Sequence, residues 1–252
     1  MDSLTPTVSD RPAPLPREAA WGGWEVLIAI VLAVVTYIVM GTVVAVAVLA
    51  IAGELEGTPL VTGGLVGILF FDAALLGIVY LFTVQKFRLP WSALGFRSLR
   101  ADFLWVPPVT AVVAHVAIVA YAVVVTAVGA DALAPQQELE DLFETRAILP
   151  LTGVATVLAA PVAEEIFFRG FVFRGLIRPL NVWGAALVSG LLFGAAHISS
   201  VDTAGLIIPF SAVGMLFAWV YYRTGSLWAP MSAHFLFNLI SFIVLATVVG
   251  SE

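Results

Sequence analysis

Cysteine is absent from the 252 residues, so the chain forms no disulfide, has no thiol nucleophile and offers no thiolate to a metal. Charge is scarce too. Asp, Glu, Lys and Arg together make up 11%, against roughly 25% in a soluble domain, which is too little polar surface to cover a water-facing globule. No basic run occurs, which removes the usual signature of nucleic-acid binding. The first twenty residues lack the short apolar core and small-residue cleavage site of a signal peptide. Histidine occurs three times. There is no HExxH pair, no pair of intramembrane aspartates, and no Ser nucleophile with a matching base.

Apolar residues, by contrast, make up 61%. They gather into stretches near 26–53, 60–84, 103–129, 149–173, 181–199, 204–222 and 226–249, each close to the ~20 residues that cross a bilayer as a helix. The sequence therefore predicts an all-α, polytopic transmembrane bundle of about seven spans. Residues 1–20, polar and Pro-rich, read as a disordered cytoplasmic tail. Residues 21–148 carry spans one to three with interfacial loops, and 149–250 form the core of spans four to seven.

Orientation follows from the basic residues. With the N-terminus inside, the inner set holds Arg11, Arg17, Lys86, Arg88, Arg97, Arg100, Arg169, Arg174, Arg178 and Arg223, and the outer set only Arg146. This predicts a cytoplasmic N-terminus in the plasma membrane. Two loops have the pattern of segments lying flat on the membrane: Leu139, Leu142 and Phe143 in the outer acidic run, and Trp91, Leu94, Phe96 and Leu99 in the inner one. Gly63/Gly67 and Gly190/Gly194 are small-xxx-small pairs suited to close helix contact.

An ionisable residue inside a span is costly and a functional candidate by default. These are Asp72, His115, Glu164, Glu165, Arg169, His197 and His234, joined by the amide of Asn238. Asp72 and His115 read as hydrogen-bonded residues of the bundle interior. Glu165 and Arg169 stand at i, i+4 and predict an ion pair along one helix face, which leaves Glu164 without a local cation and free to act as a general base. Glu164 lies 15 residues before Pro179 and His197 lies 18 after it. On two antiparallel helices joined near Pro179 they reach similar depth. His234 and Asn238, at i, i+4, share a face. A carboxylate, two imidazoles and an amide suit hydrolysis by an activated water, with the imidazole and amide on the oxyanion. A site of two His and one Glu holding zinc is the hydrolytic alternative.

Three motifs occur in order: E-E-x-x-x-R at Glu164–Arg169, F-x-x-x-H at Phe193–His197 and H-x-x-x-N at His234–Asn238. Together with LGFR at Leu94–Arg97 and the segment Thr224–Asn238, they resemble the CPBP intramembrane proteases, the group of the type II CAAX prenyl endopeptidases. The resemblance covers roughly residues 150–240. It implies that Glu164 activates water with help from His197, that His234 and Asn238 form the oxyanion site, and that Glu165, Arg169 and Phe193 support them. It implies an intramembrane endopeptidase that meets membrane lipid and a peptide substrate arriving from the cytoplasmic side, without nucleic acid. No cofactor is favoured, because Asn is a poor zinc ligand; if a metal is used, Glu164, His197 and His234 hold it. A small proton-coupled transporter, or an inert scaffold of the same fold, stands as the alternative.

Overall fold

The computed structural model describes residues 19–130, 133, 146–198 and 203–249. Six of its helices are long and apolar enough to cross a membrane: α1 (Gly23–Ala52), α2 (Gly57–Gln85), α3 (Ala101–Ala127), α4 (Arg146–Ala195), α5 (Ala204–Thr224) and α6 (Trp228–Thr247). No strand occurs among the described residues. Apolar side chains cover the outside as well as the core: Val34, Ile38 and Val46 on α1 and Val116, Val119 and Val123 on α3 are each more than half exposed. Such a belt is unstable in water and suits lipid. The chain is a multi-pass membrane protein.

The sequence predicts about seven spans; six helices meet that length and composition, and the fourth of them folds into two arms. The stretches 149–173 and 181–199, expected separately, run together as the 50 residues of α4. The helix nonetheless turns back on itself at Asn181, whose φ of 58° and ψ of 179° are not helical. Pro179 has no N–H to continue the first arm. Asn181 Oδ1 accepts from the N–H groups of Trp183 at 3.0 Å and Gly184 at 3.2 Å, capping the returning arm. Ser189 Oγ then donates to the Phe168 carbonyl at 2.9 Å, whereas a straight helix would hold these residues about 30 Å apart.

Glycine sets the helix contacts. A Cβ on Gly67 would stand 3.0 Å from Val44 of α1, and Gly63 also faces Val44 and Val48, so α1 and α2 pack closely there. On the returning arm of α4, a Cβ at Gly190 would stand 2.6 Å from Met215 Cγ and 2.7 Å from the Ser211 carbonyl, and Gly194 faces Ser211 and Ile207. Both small-xxx-small pairs mark real interfaces. α3 meets α6 through Ala111, Ala114 and Phe237, and the His115 ring joins Ala111 O at 2.8 Å and Ser241 Oγ at 3.2 Å, as a bundle-interior histidine should.

The inner loop differs from its expected place flat on the membrane. Leu94 is fully buried and packs in the main core with Phe171, Phe173 and Tyr221. The loop's carbonyls are captured by the bundle. Tyr221 Oη donates to Leu94 O at 2.7 Å, Leu227 N to Gly95 O at 2.8 Å, and Ser226 Oγ to Arg97 O at 2.6 Å. Arg174 donates to Ala93 O. Gly95, at φ 97°, lies against the Tyr221 ring, where a Cβ would overlap it. The apolar residues thus mark a docked strap rather than a membrane-lying helix. The outer candidates Leu139, Leu142 and Phe143, and the tail through residue 18, lie outside the described residues.

Candidate active site

The first arm of α4 is not a uniform α-helix. It holds two π-helical runs, Gly153–Ala159 and Glu165–Phe173, separated by the short α-helical turn Ala160–Glu164. Such i→i+5 turns are rare and frequently occur at functional sites. Here Glu164 is the last residue of the turn and Glu165 opens the second run.

The two adjacent glutamates have different surroundings. Glu165 is fully buried, and its Oε1 lies 2.8 Å from Arg169 Nη1 and 3.0 Å from His234 Nδ1. Arg169, also fully buried, donates from Nη2 to the Gly214 carbonyl at 3.2 Å. Its guanidinium lies 4.3 Å from the centre of the Phe193 ring and 5.2 Å from that of Phe217. The arginine thus stacks between aromatic faces while pairing with a carboxylate, which a lysine could not reproduce. The ion pair predicted from i, i+4 spacing is present, and His234 completes it as a third member.

Glu164 is the free carboxylate. Its Oε2 has no hydrogen-bond partner and faces His234 Nε2 at 4.0 Å. The tautomer of His234 follows from its other side: Glu165, paired with Arg169, accepts only, so the proton sits on Nδ1. Nε2 is left pointing at Glu164.

The remaining residues are arranged around this pair. Phe193 holds the two histidines together, its ring centre 4.6 Å from that of His197 and 5.7 Å from that of His234. His197 Nδ1 donates to the Phe193 carbonyl at 2.7 Å, and the ring stacks on Phe210 at 4.4 Å. No contact within 4.0 Å pairs His197 with either glutamate among the described residues; His234 is the imidazole beside Glu164. Asn238 directs its Nδ2 to the Thr156 carbonyl at 2.7 Å, two helical turns away from Glu164 along α4.

Asp72 was expected to be hydrogen-bonded. It is buried on α2, but its Oδ2 has no partner, and it lines an otherwise apolar groove of about 350 Å³ between α2 and residues 154–163 of α4. Its single charge in that wall was visible in the sequence, while the missing partner was not.

Among the described residues no three His, Asp or Glu side chains group around one point. The Nδ1–H bonds of His197 to a backbone carbonyl and of His234 to Glu165 leave both Nε2 atoms open, the orientation in which an imidazole can also ligate a metal. No chemical step below passes through a metal.

Comparison with known proteins bears on the same stretch. Residues 146–240 match a family model described as type II CAAX prenyl endopeptidase Rce1-like. Over 97 residues the chain is 34% identical to the Bacillus subtilis protein named "Putative membrane peptidase YdiL", covering 38% of this chain and 37% of that one. Over 99 residues it is 30% identical to the uncharacterized B. subtilis protein YpbD, covering 39% and 47%. The chain thus spans less than half the length of the curated relatives it matches. No solved structure matches.

Proposed function

We propose that this chain, whose residues 146–240 match the Rce1-like model of type II CAAX prenyl endopeptidases, is an intramembrane peptidase that uses Glu164 as general base on a water molecule. The observation that carries the reading is the contrast within one dipeptide. Glu165 is held through Oε1 by Arg169 and His234, while its Oε2, like that of Glu164, has no hydrogen-bond partner. Glu164 makes no ion pair with arginine and presents its oxygen to His234 Nε2 at 4.0 Å. A water about 2.8 Å from each atom fits across that separation.

Glu164 takes the water proton as the oxygen attacks the peptide carbonyl carbon, and returns it to the departing amine as the C–N bond breaks. The Nδ1–H···Glu165 bond lets His234 carry positive charge, so that in its protonated form Nε2–H donates to the oxyanion. His197, its Nδ1 engaged by the Phe193 carbonyl, keeps Nε2 as a second acceptor to orient the water. Arg169 balances the charge of Glu165. A peptide in the membrane, entering from the Arg-rich side, is the substrate this site suits.

The test is cleavage in proteoliposomes. Purified protein is given a fluorogenic farnesylated CAAX peptide and, separately, an unprenylated transmembrane peptide, beside the Glu164→Gln variant. Cleavage of either peptide by the wild type and not by the variant is the expected result. Equal cleavage by both proteins removes Glu164 as the base.

A further inference from the structure

Three carbonyls in the π-helical runs of α4 are met by side chains from elsewhere: Phe168 O by Ser189 Oγ, Phe171 O by Trp21 Nε1 at 2.9 Å, and Thr156 O by Asn238 Nδ2 at 2.7 Å. The third has an identifiable cause. The first π-run ends with Ala160 N–H bonded to Ala155 O, an i→i+5 bond. In that register the next carbonyl, Thr156 O, is due the N–H of residue 161. Residue 161 is Pro and has none. An unmet carbonyl at membrane depth is costly, and the Asn238 amide fills the gap.

The consequence reaches Glu164. Along α4 it lies between Thr156 and Glu165, and both of these are fastened to α6, by Asn238 and His234 respectively. Asn238 and His234 are one helical turn apart on the same face of α6. The segment carrying Glu164 is therefore pinned at two points to the helix that carries the imidazole it faces.

We propose that Asn238 is a positioning residue: it supplies the donor that Pro161 withholds from the Thr156 carbonyl and so holds Glu164 in register opposite His234. This role differs from contact with the oxyanion, because the Nδ2 group is committed to a backbone carbonyl two turns away. The inference rests on Glu164 being the base.

The test is a cycle of Asn238→Ala and Pro161→Ala, singly and together, in the full chain. Alanine at 161 restores an N–H for the Thr156 carbonyl, so it should make Asn238 dispensable. With the farnesylated CAAX peptide as probe, N238A should lose on the order of 10²-fold in kcat, as expected for a base displaced by about 1 Å, with KM little changed. The double variant should recover to the level of P161A alone. A folded double variant as inactive as N238A would overturn the proposal and return the amide to the reacting atoms. Thermal melting in detergent reads the same cycle without a substrate. N238A should lower the melting temperature when residue 161 is Pro and leave it unchanged when residue 161 is Ala; equal drops in both backgrounds overturn the clamp. Should wild type cleave no probe, the peptidase reading fails while the melting cycle still decides the clamp. An N238A protein that does not fold is scored by whether P161A restores it.

Discussion

His234 bonds the second glutamate of the Glu164–Glu165 pair and faces the first: Nδ1 is 3.0 Å from Glu165 Oε1, and Nε2 is 4.0 Å from Glu164 Oε2. One ring therefore divides two chemically identical neighbours: Glu165 is tied to Arg169 and His234, and Glu164, which makes no ion pair with arginine, is the proposed base.

Substituting each glutamate in turn should give opposite phenotypes. Glu164→Gln keeps the shape of a side chain that makes no ion pair with arginine, so melting should be close to wild type while peptidase activity falls by ~10²–10⁴. Glu165→Gln leaves the buried Arg169 guanidinium without its countercharge, a change that costs about 3–5 kcal/mol. Loss of folded protein is expected, seen as a collapsed melting transition in detergent. A Glu165→Gln protein as stable as wild type would contradict the assignment.

Chelation addresses the chemistry directly. Dialysis against a strong zinc chelator should leave both turnover and the melting temperature unchanged, and elemental analysis of the purified protein should find no stoichiometric zinc. Turnover lost on chelation and regained with added zinc would replace the metal-free mechanism while leaving the peptidase assignment standing.

At Gly190 the returning arm of α4 touches the backbone of α5, and a Cβ there meets the Ser211 carbonyl at 2.7 Å. Backbone cannot swing aside as a side-chain end can. Gly190→Ala should destabilise the protein by ~1–3 kcal/mol, whereas Gly41→Ala, with open space around it, should change little. Parallel denaturation in mixed micelles compares the two.

Trp21 stacks on Phe171 at 5.5 Å between ring centres and donates from Nε1 to the Phe171 carbonyl. Trp21→Phe keeps an aromatic ring in the stack but removes the donor and shrinks a buried side chain. A loss of about 2–3 kcal/mol is expected from the missing hydrogen bond and the space left behind, readable as a lower midpoint of unfolding with the cleavage rate of the remaining folded protein unchanged.

Much of the site is legible in the sequence because it rests on side-chain spacing. Glu165 and Arg169 at i, i+4 pair as spacing requires, His234 and Asn238 share a face, and the two glycine pairs fall where helices touch. The turn at Asn181 follows from Pro179 and an Asn cap. What spacing does not carry is backbone register. An i→i+5 run has no residue signature of its own, so the widened turns around Glu164 and the commitment of Asn238 to Thr156 were invisible, although Pro161 was a signal that some carbonyl there would need a donor. Nor does periodicity separate a strap docked in the bundle from one lying on lipid. For Trp91–Leu99 the difference is made by Arg174, Tyr221 and Ser226, residues far along the chain.

That strap bears on how the protein can be engineered. Connecting segments between helices are ordinarily the places where insertions, circular permutation and fused reporters are tolerated. Between Ala93 and Arg97, however, four carbonyls are each held by a different partner, and Gly95 leaves no room for a side chain. A tag spliced there detaches the loop from Tyr221, Ser226 and Leu227 at once, and so reports on a damaged bundle rather than on sidedness. The exposed turn from Gly53 to Glu56, where no such capture occurs among the described contacts, is the place to open the chain.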